Sequence, residues 1–254
     1  MRPGQAVALR NEPEHSLLES HRRHMPAGPA RKFPKLARQA VSAAAFLFAA
    51  ILLSGTSEAA EPGDFDYYAL SLSWSPSYCA GPQGLDDVEQ CGTGRRFAFV
   101  VHGLWPQYDR GWPRDCDTRE RWVPEERVGA MLDIMPSRKL IIHEWRKHGS
   151  CSGLSQEDYF AATRALFGRV RIPARYLAPQ ADIVTTPGQL ATDFVKTNRA
   201  LTAAMMSVQC GNARDRARLA ELRICFDRAG SFIACGANET RQCRARQLVM
   251  PPVR

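Results

Sequence analysis

The sequence predicts a single disulfide-stabilised domain of the α+β class, in which helices flank a central, mainly antiparallel sheet. Strand-like and helix-like segments follow one another without the regular βαβ alternation of a parallel sheet. All eight cysteines of the 254 residues lie after residue 60. An even cysteine count in an exported chain is typical of a disulfide framework. We therefore expect one packed core with covalently fastened loops.

Residues 1–59 predict an N-terminal extension and a signal peptide. Basic residues between positions 31 and 38 precede an apolar run, Ala40–Leu53, and Ser57-Glu58-Ala59 forms a small-x-small cleavage site. The apolar run is too short to span a bilayer comfortably. Cleavage near Ala59 would leave a domain of residues 60–254, periplasmic or secreted, with no stable membrane association. Translation can begin at Met1 or at Met25, and the sequence is compatible with both.

The charge balance of the predicted domain is mildly basic. After residue 60 the chain has 26 Lys and Arg against 22 Asp and Glu, a net charge of +4. This balance agrees with a polyanionic substrate without requiring one.

The cysteine spacing favours a particular set of four disulfides. Two of them close short loops, a third encloses one of these loops, and the fourth joins the two cysteines that are left. Eight cysteines allow 105 pairings. The favoured set is Cys79–Cys91, Cys225–Cys235, Cys210–Cys243 and Cys116–Cys151. Such bonds contribute about 2 to 4 kcal/mol each. No C-x-x-C pair occurs in the sequence, which disfavours a zinc ribbon.

Two strands are predicted in the N-terminal half of the domain. Residues 66–74 alternate apolar side chains with small or polar ones, as a half-buried strand does. After a glycine-rich loop at 81–94, every residue from Phe97 to Val101 is apolar, which is typical of a strand covered on both faces. We expect this strand to end at His102, which would hold the imidazole at a rigid rim.

Helices follow, and then a β-rich C-terminal part. Four helices are predicted, at 124–135, after Pro136-Ser137, at 155–168 and at 186–204. The third begins with a capping-box variant at Ser155. Short strands are predicted at 208–210, 222–226 and 232–235, with a hairpin turn between the last two.

The segment His143–Cys151, HEWRKHGSC, concentrates reactive side chains on the second of these helices. At about 100° per residue, four of them share an arc of roughly 140°: His143, Glu144, Lys147 and His148. Apolar residues take the next arc, so one side of the helix can pack and the other can react. A solvated face with a weak i,i+4 ion pair is the plainer interpretation. Other parts of the sequence are needed to distinguish a reactive face from a solvated one.

Only three histidines follow the predicted cleavage site, namely His102, His143 and His148. Three histidines can bind zinc, but the zinc-protease pattern needs histidines at i and i+4. Position i+4 from His143 is Lys147, whose charge opposes Zn²⁺. A zinc hydrolase is therefore the weakest interpretation, and we expect neither a metal nor another cofactor.

Metal-free cleavage of RNA fits these side chains better. The 2′-hydroxyl is an internal nucleophile, so the enzyme needs a base, an acid for the departing 5′-oxygen, and cations for the phosphorane. Two histidines can act as base and acid, each contributing about 10²- to 10⁴-fold. Lys147 and His143 can stabilise the non-bridging oxygens. Glu144 can orient His143 or share in handling the phosphate.

Two segments resemble a known family. The ribonuclease T2 family consists of exported acid ribonucleases. Its two active-site segments are closely resembled by Phe99–Gln107, FVVHGLWPQ, and by His143–Cys151. Similarity extends from Tyr67–Cys79 to Leu219–Asp227 and Cys243, nearly all of the predicted domain. The resemblance implies an α+β fold and bridges at Cys116–Cys151 and Cys210–Cys243, in agreement with the spacing.

The resemblance also implies a role for each catalytic side chain. His102 and His148 form the acid and base pair, with His148 as the base of the transesterification and His102 as its acid. His143 binds the phosphate, and Glu144 and Lys147 stabilise the transition state.

Two further positions of the resemblance concern the base of the nucleotide. Trp105 resembles the residue on which the base stacks, and Gln107 stands where the family often has Asp, which leaves base preference open. The sequence thus predicts a monomeric, metal-independent endoribonuclease that converts single-stranded RNA to 2′,3′-cyclic phosphate and then 3′-phosphate ends. The alternative is a secreted RNA-binding protein without activity, against which the intact set of reactive side chains argues.

Overall fold

Six strands form one open sheet in the computed structural model, which describes residues 60–114 and 116–253. The strands are β1 Tyr67–Trp74, β2 Phe99–Gln107, β3 Ile183–Thr185, β4 Met206–Cys210, β5 Arg216–Phe226 and β6 Gln247–Met250. Their order is β2-β1-β5-β6-β3, and β4 also pairs with β5. Every pairing is antiparallel except that of β5 with β6. The expectation of a mainly antiparallel sheet is confirmed.

Helices accompany this sheet in an irregular order, which confirms the α+β class. They are α1 Ser75–Cys79, α2 Val88–Cys91, α3 Glu125–Gly129, α4 Arg138–Lys147, α5 Gln156–Gly168 and α6 Pro187–Thr197. Ser155 caps α5 by accepting a hydrogen bond from the backbone N–H of Asp158, and Thr186 caps α6 in the same way. The predicted signal peptide lies outside the described residues, and the predicted domain boundary after Ala59 stays a prediction.

Strand β1 is buried on both faces, so the expectation of a half-buried strand is wrong. Leu70 and Leu72 enter the main core, while Ala69 and Ser71 on the other face are equally inaccessible. The reason is topological, because β1 lies in the middle of the sheet between β2 and β5.

Strand β2 runs well beyond its predicted end. It continues to Gln107, so His102 lies in its interior and not at its rim. Gly103 and Pro106 indicate a strand end in a sequence, but β2 is an edge strand of the sheet, where proline is tolerated.

Two helices are shorter than predicted. Helix α3 ends at Gly129 and is followed by turns, in which the Ile134 carbonyl accepts a 2.9 Å hydrogen bond from the backbone N–H of Val101 in β2. Helix α6 ends at Thr197 because the Asn198 side chain bonds the carbonyls of Phe194 and Arg171.

Smaller differences concern the loops and the C-terminal part. The predicted loop at 81–94 contains α2, which begins where the Asp87 carboxylate accepts from the Gln90 backbone. The predicted strand at 232–235 is reduced to a single bridge between Phe226 and Phe232. Strands β3 and β6 and the first half of β5 were not predicted, since β3 and β6 have only three and four residues.

The core fixes α4 and α5 against β2. Trp145 of α4 and Tyr159 of α5 are almost fully buried, with ring centroids 5.8 Å apart. The Tyr159 hydroxyl donates a 2.9 Å hydrogen bond to the carbonyl of Leu104 in β2. The helix that carries the HEWRKHGSC motif is thereby held over the strand that carries His102.

Four disulfides fasten the loops, with the pairing that the spacing favours: Cys79–Cys91, Cys116–Cys151, Cys210–Cys243 and Cys225–Cys235. Cys116–Cys151 joins the segment after β2 to the segment just after α4. Among residues 60–114 and 116–253, no helix combines the length and the apolar character needed to cross a membrane.

Candidate active site

The site lies on the sheet face where β1 carries small side chains. Ser71 of β1 is in register with Gly103 of β2 on one side and Arg223 of β5 on the other. Because β1 presents so little volume here, long side chains of β5 reach across it. Glu221 comes within 2.6 Å of His102, and Arg223 stacks 4.7 Å from the ring centroid of Trp105.

A β-bulge turns His102 into the site. Val101 pairs with Leu72 and Gly103 pairs with Ser71, so His102 is the extra residue of β2. Side chains three apart on a regular strand point to opposite faces, whereas a bulge shifts this alternation by one residue. His102 and Trp105 therefore share a face, with ring centroids 5.2 Å apart.

Gly103 provides the space in which Glu144 approaches the sheet. A Cβ atom at this position would lie 1.9 Å from Oε2 of Glu144 and 2.6 Å from Nε1 of Trp105. Any larger residue would thus displace the carboxylate. This glycine is required by close approach of a side chain, not by backbone conformation.

Glu144 is buried between the two walls of the site, with 1% of its side chain exposed. Its Oε2 accepts a 2.7 Å hydrogen bond from Nε1 of Trp105, and its Oε1 lies 3.6 Å from Nε2 of His102. Burial raises the pKa of Glu144 to about 7, although the charge of His102 and the Trp105 hydrogen bond oppose the rise. It is thus His102, and not the expected His143, that Glu144 approaches.

The surroundings of His102 favour its protonated form. Burial lowers its pKa, but the hydrogen bond to Glu221 and the charges of Glu144 and Glu221 outweigh burial and leave the pKa above its ordinary value. The pKa of Glu221 falls to about 2, because the bond and charge of His102 and the charge of Arg223 outweigh its burial.

The surroundings of His148 favour its neutral form. Its ring lies 5.3 Å from that of Trp105, on the segment that ends α4. Burial lowers the pKa of His148 to about 3, and the charges of Lys147, His102 and His143 act in the same direction. One histidine of the site is therefore disposed to be protonated and the other to be neutral.

His143 and Lys147 are exposed on α4 and face an open cleft of about 910 Å³. This cleft brings together all seven predicted site residues: His102, Trp105, Gln107, His143, Glu144, Lys147 and His148. Although the residue as a whole is exposed, partial burial and the charges of Lys147 and His102 lower the pKa of His143.

Gln107 is 5% exposed at the far end of β2, where its Oε1 accepts a 3.0 Å hydrogen bond from Nδ2 of Asn238. The same Asn238 amide bonds both backbone groups of Gly111 and the carbonyl of Tyr108. Asn238 therefore shapes the loop beside Gln107 as well as holding its amide.

Four residues of the site were missed by the sequence analysis: Glu221, Arg223, Asn238 and Glu239. Glu221 and Arg223 alternate with apolar residues in β5, a pattern that also describes an ordinary solvated strand face. The loop that carries Asn238 and Glu239 has no comparable signal. Within the part of the chain that the structure describes, no group of three or more His, Cys, Asp or Glu is arranged to hold a metal ion.

Comparison with known sequences identifies relatives of this chain. A "Ribonuclease" of Aeromonas hydrophila is 49% identical over 118 residues, which are 45% of this chain and 51% of that protein. A "Probable ribonuclease" of Haemophilus influenzae is 34% identical over 182 residues, 67% of this chain and 61% of its own length. The matches thus span between half and two thirds of these two relatives.

Solved structures share the fold. An RNase-related protein from Calystegia sepium superposes with a TM-score of 0.59 and 22% identity, over 75% of this chain and 98% of that one. RNase NT in complex with 5′-AMP gives a TM-score of 0.57 and 24% identity, over 74% and 99% of the two chains. The model of the Ribonuclease T2 family matches residues 65–235, which contain both histidine segments and all of β1 to β5. The chain belongs to the ribonuclease T2 family.

Proposed function

We propose that this protein is a metal-independent endoribonuclease that cleaves single-stranded RNA. The observation that carries the proposal is the pair His102 and His148, whose rings lie within 5.3 Å of the Trp105 ring and whose pKa values are displaced in opposite directions. Groups of a site whose surroundings separate their pKa values are candidates for acid and base.

The first step is an in-line transesterification. Neutral His148 takes the proton of the 2′-hydroxyl, the 2′-oxygen bonds to phosphorus, and the bond from phosphorus to the 5′-oxygen breaks as protonated His102 donates to that oxygen. The products are a 2′,3′-cyclic phosphate and a free 5′-hydroxyl. DNA lacks the internal nucleophile and is refused by chemistry.

The second step hydrolyses the cyclic phosphate with the roles reversed. His102, now neutral, takes a proton from water as the water oxygen bonds to phosphorus. His148, now charged, protonates the 2′-oxygen as the bond from that oxygen to phosphorus breaks. The product has a 3′-phosphate end, and both histidines return to their starting states.

Three side chains of α4 serve the charge of the phosphorane. Lys147 and His143 are exposed at the cleft, where they can contact non-bridging oxygens. Because the pKa of Glu144 is about 7, its carboxyl group is protonated below neutrality and can donate to the phosphate without repelling it.

We assign base binding to the part of the cleft that is lined by Trp105 and Gln107. The Trp105 ring offers a stacking surface, and Gln107, held by Asn238, offers an amide for hydrogen bonding to the base. An amide can both donate and accept, so this position does not by itself select a purine or a pyrimidine.

We also propose that the protein acts as an exported monomer without stable membrane association, in the periplasm or outside the cell. The four disulfides support this location, since such bonds persist in oxidising compartments. The signal peptide predicted at residues 1–59 gives the route.

The decisive experiment is product analysis on a panel of dinucleoside monophosphates, with and without EDTA. We expect cyclic phosphate first, then 3′-phosphate, at rates that EDTA leaves unchanged, and a His148→Ala variant that forms neither. Loss of cleavage in EDTA would favour the zinc hydrolase, and binding without turnover would favour the inactive RNA-binding protein.

A further inference from the structure

Glu221 takes no part in the proposed reaction steps. It nevertheless makes the shortest polar contact of His102. Its Oε1 is 2.6 Å from Nδ1 of His102, across the small side chains of β1. We propose that Glu221 is the positioning residue of the acid: its carboxylate, held by Arg223, which in turn is held by Glu239, fixes the His102 ring with Nδ1 protonated and Nε2 turned to the leaving 5′-oxygen. This inference rests on the proposed function.

The contact determines which nitrogen of His102 carries the proton in the neutral ring. The Glu221 carboxylate stays ionised across the working range, since its pKa is about 2, and an ionised carboxylate only accepts. Nδ1 must therefore be the donor. The atom left to exchange protons with substrate is Nε2, which lies on the Glu144 side of the ring.

Arg223 holds the second oxygen of Glu221 in place. Its Nε lies 3.1 Å and its Nη2 3.0 Å from Oε2, while Nη1 bonds Glu239 at 3.2 Å. The same guanidinium stacks on Trp105. Orientation of Glu221, and the position of the base-stacking ring, are thus set by one side chain.

Glu239, the partner of Arg223, has only 1% of its side chain exposed. The backbone carbonyl of Glu239 accepts a 2.7 Å hydrogen bond from Ser207 of β4, which fixes this loop to the sheet. His102, Glu221, Arg223 and Glu239 form a line of alternating charge in which each member contacts the next. Such a line fixes ring orientation more narrowly than one contact does.

Other charged groups also face His102 and compete with Glu221 for influence on it. They are Glu144, His143 and His148 from α4 and its end, Arg223 from β5, and Asp86, Asp87 and Lys139 across a smaller neighbouring cavity. Of the three carboxylates among these, only Glu144 is within 4 Å of a His102 ring nitrogen, and it faces Nε2, not Nδ1. Glu221 is therefore the group that can set the tautomer.

The test compares wild type with Glu221→Gln, in which a neutral amide of equal size replaces the carboxylate. One readout is the pH profile of kcat and KM on a dinucleoside monophosphate. The other is ¹⁵N NMR of histidine-labelled domain, which reports the titration and tautomer of His102. Three histidines follow residue 60, so variants of the other two assign its signals. Glu157→Gln is the matched control, because Glu157 is 81% exposed and is not among the residues that line the cleft.

We expect kcat of Glu221→Gln to fall about 10- to 100-fold near neutrality with KM changed by less than about 3-fold. The basic limb of the profile and the His102 titration should both move to lower pH, and Glu157→Gln should match wild type. If Glu221→Gln does not fold, Glu221→Asp replaces it, with a smaller shift in the same direction.

An equal loss of rate with an unchanged His102 titration would overturn the proposal, because Glu221 would then only support the fold. Wild-type activity and titration in Glu221→Gln would overturn it as well. Should the wild type itself cleave no RNA, the proposed function fails, yet the NMR titration still decides whether Glu221 controls His102.

Discussion

Trp105 donates a 2.7 Å hydrogen bond through Nε1 to the buried carboxyl group of Glu144. This contact joins β2 to α4 at the centre of the site, so that the ring assigned to the base also holds a group assigned to the phosphate. In the proposed mechanism, substrate recognition and catalysis therefore depend on the same side chain.

Replacing Trp105 with Phe keeps an aromatic surface and removes this donor. We expect a loss of about 1 to 3 kcal/mol in the free energy of unfolding, because a buried acceptor is left unpaired. We expect kcat to fall by about 10-fold or more, equivalent to about 1.4 kcal/mol. Urea denaturation and initial rates measure the two effects. Trp122→Phe is the control, since Trp122 is 72% exposed; equal effects in both variants would contradict the assignment.

Substitution of Gly103 by Ala tests the approach of Glu144 to the sheet. The added Cβ would lie 1.9 Å from the carboxylate, so either Glu144 or β2 must move. We expect a destabilisation of about 1 to 3 kcal/mol by overpacking and a large loss of kcat. Gly129→Ala is the matched control, because no atom lies within 4 Å of the position that its Cβ would take. Activity of Gly103→Ala near that of Gly129→Ala would show that the close approach is unimportant.

The two proposed proton-transfer residues should each be indispensable. We expect His102→Ala and His148→Ala to lose about 10²- to 10⁴-fold in kcat, with circular dichroism like that of wild type. His143→Ala should lose less, because His143 is exposed and moves no proton in the proposed steps. Near-wild-type rates in either of the first two variants would remove the acid–base assignment.

The pH dependence of kcat/KM should be broad and extend far into acid. As pH falls, His148 remains a free base until its pKa of about 3 is approached. As pH rises through the raised pKa of His102, above 6.5, the acid loses its proton and the rate falls. Rates from about pH 2 to about pH 9 would define both limbs. An acidic limb near 6.5 would show that His148 is not held neutral.

Removal of Cys116–Cys151 should affect activity as well as stability. The bond closes a loop with a sequence separation of 35 and fastens the segment directly after His148. Replacing both cysteines with Ser should cost about 4 kcal/mol by loop entropy, against about 3 kcal/mol for Cys79–Cys91. Only the first pair should also lower kcat under conditions where both variants are folded. Similar rates in the two variants would separate this disulfide from catalysis.

That the predicted site residues would lie together in one cleft was predictable because most of them are close in sequence. His143, Glu144, Lys147 and His148 lie within six residues, and three histidines in the predicted domain narrow the search for their partner. The α+β class and the disulfide pairing followed from element order and cysteine spacing in the same local way.

The rest of the site depends on features that adjacent residues do not encode. The position of His102 within β2 required the bulge opposite Ser71, which only the pairing of two strands reveals. Glu221 reaches His102 from 119 positions away in sequence. The turns that follow α3 also make such a contact, since the Ile134 carbonyl accepts a hydrogen bond from Val101 of β2.

Strand β1 contributes no reactive group, but its side-chain volume sets the distance over which β5 can act on β2. The small side chains of Ala69, Ser71 and Ser73 leave room for Glu221 and Arg223 to reach their partners on β2. Exchange among small residues there should be tolerated, whereas a leucine at Ser71 would fill this room and separate His102 from its carboxylate. The mutational sensitivity of this strand should therefore follow residue size more closely than residue polarity.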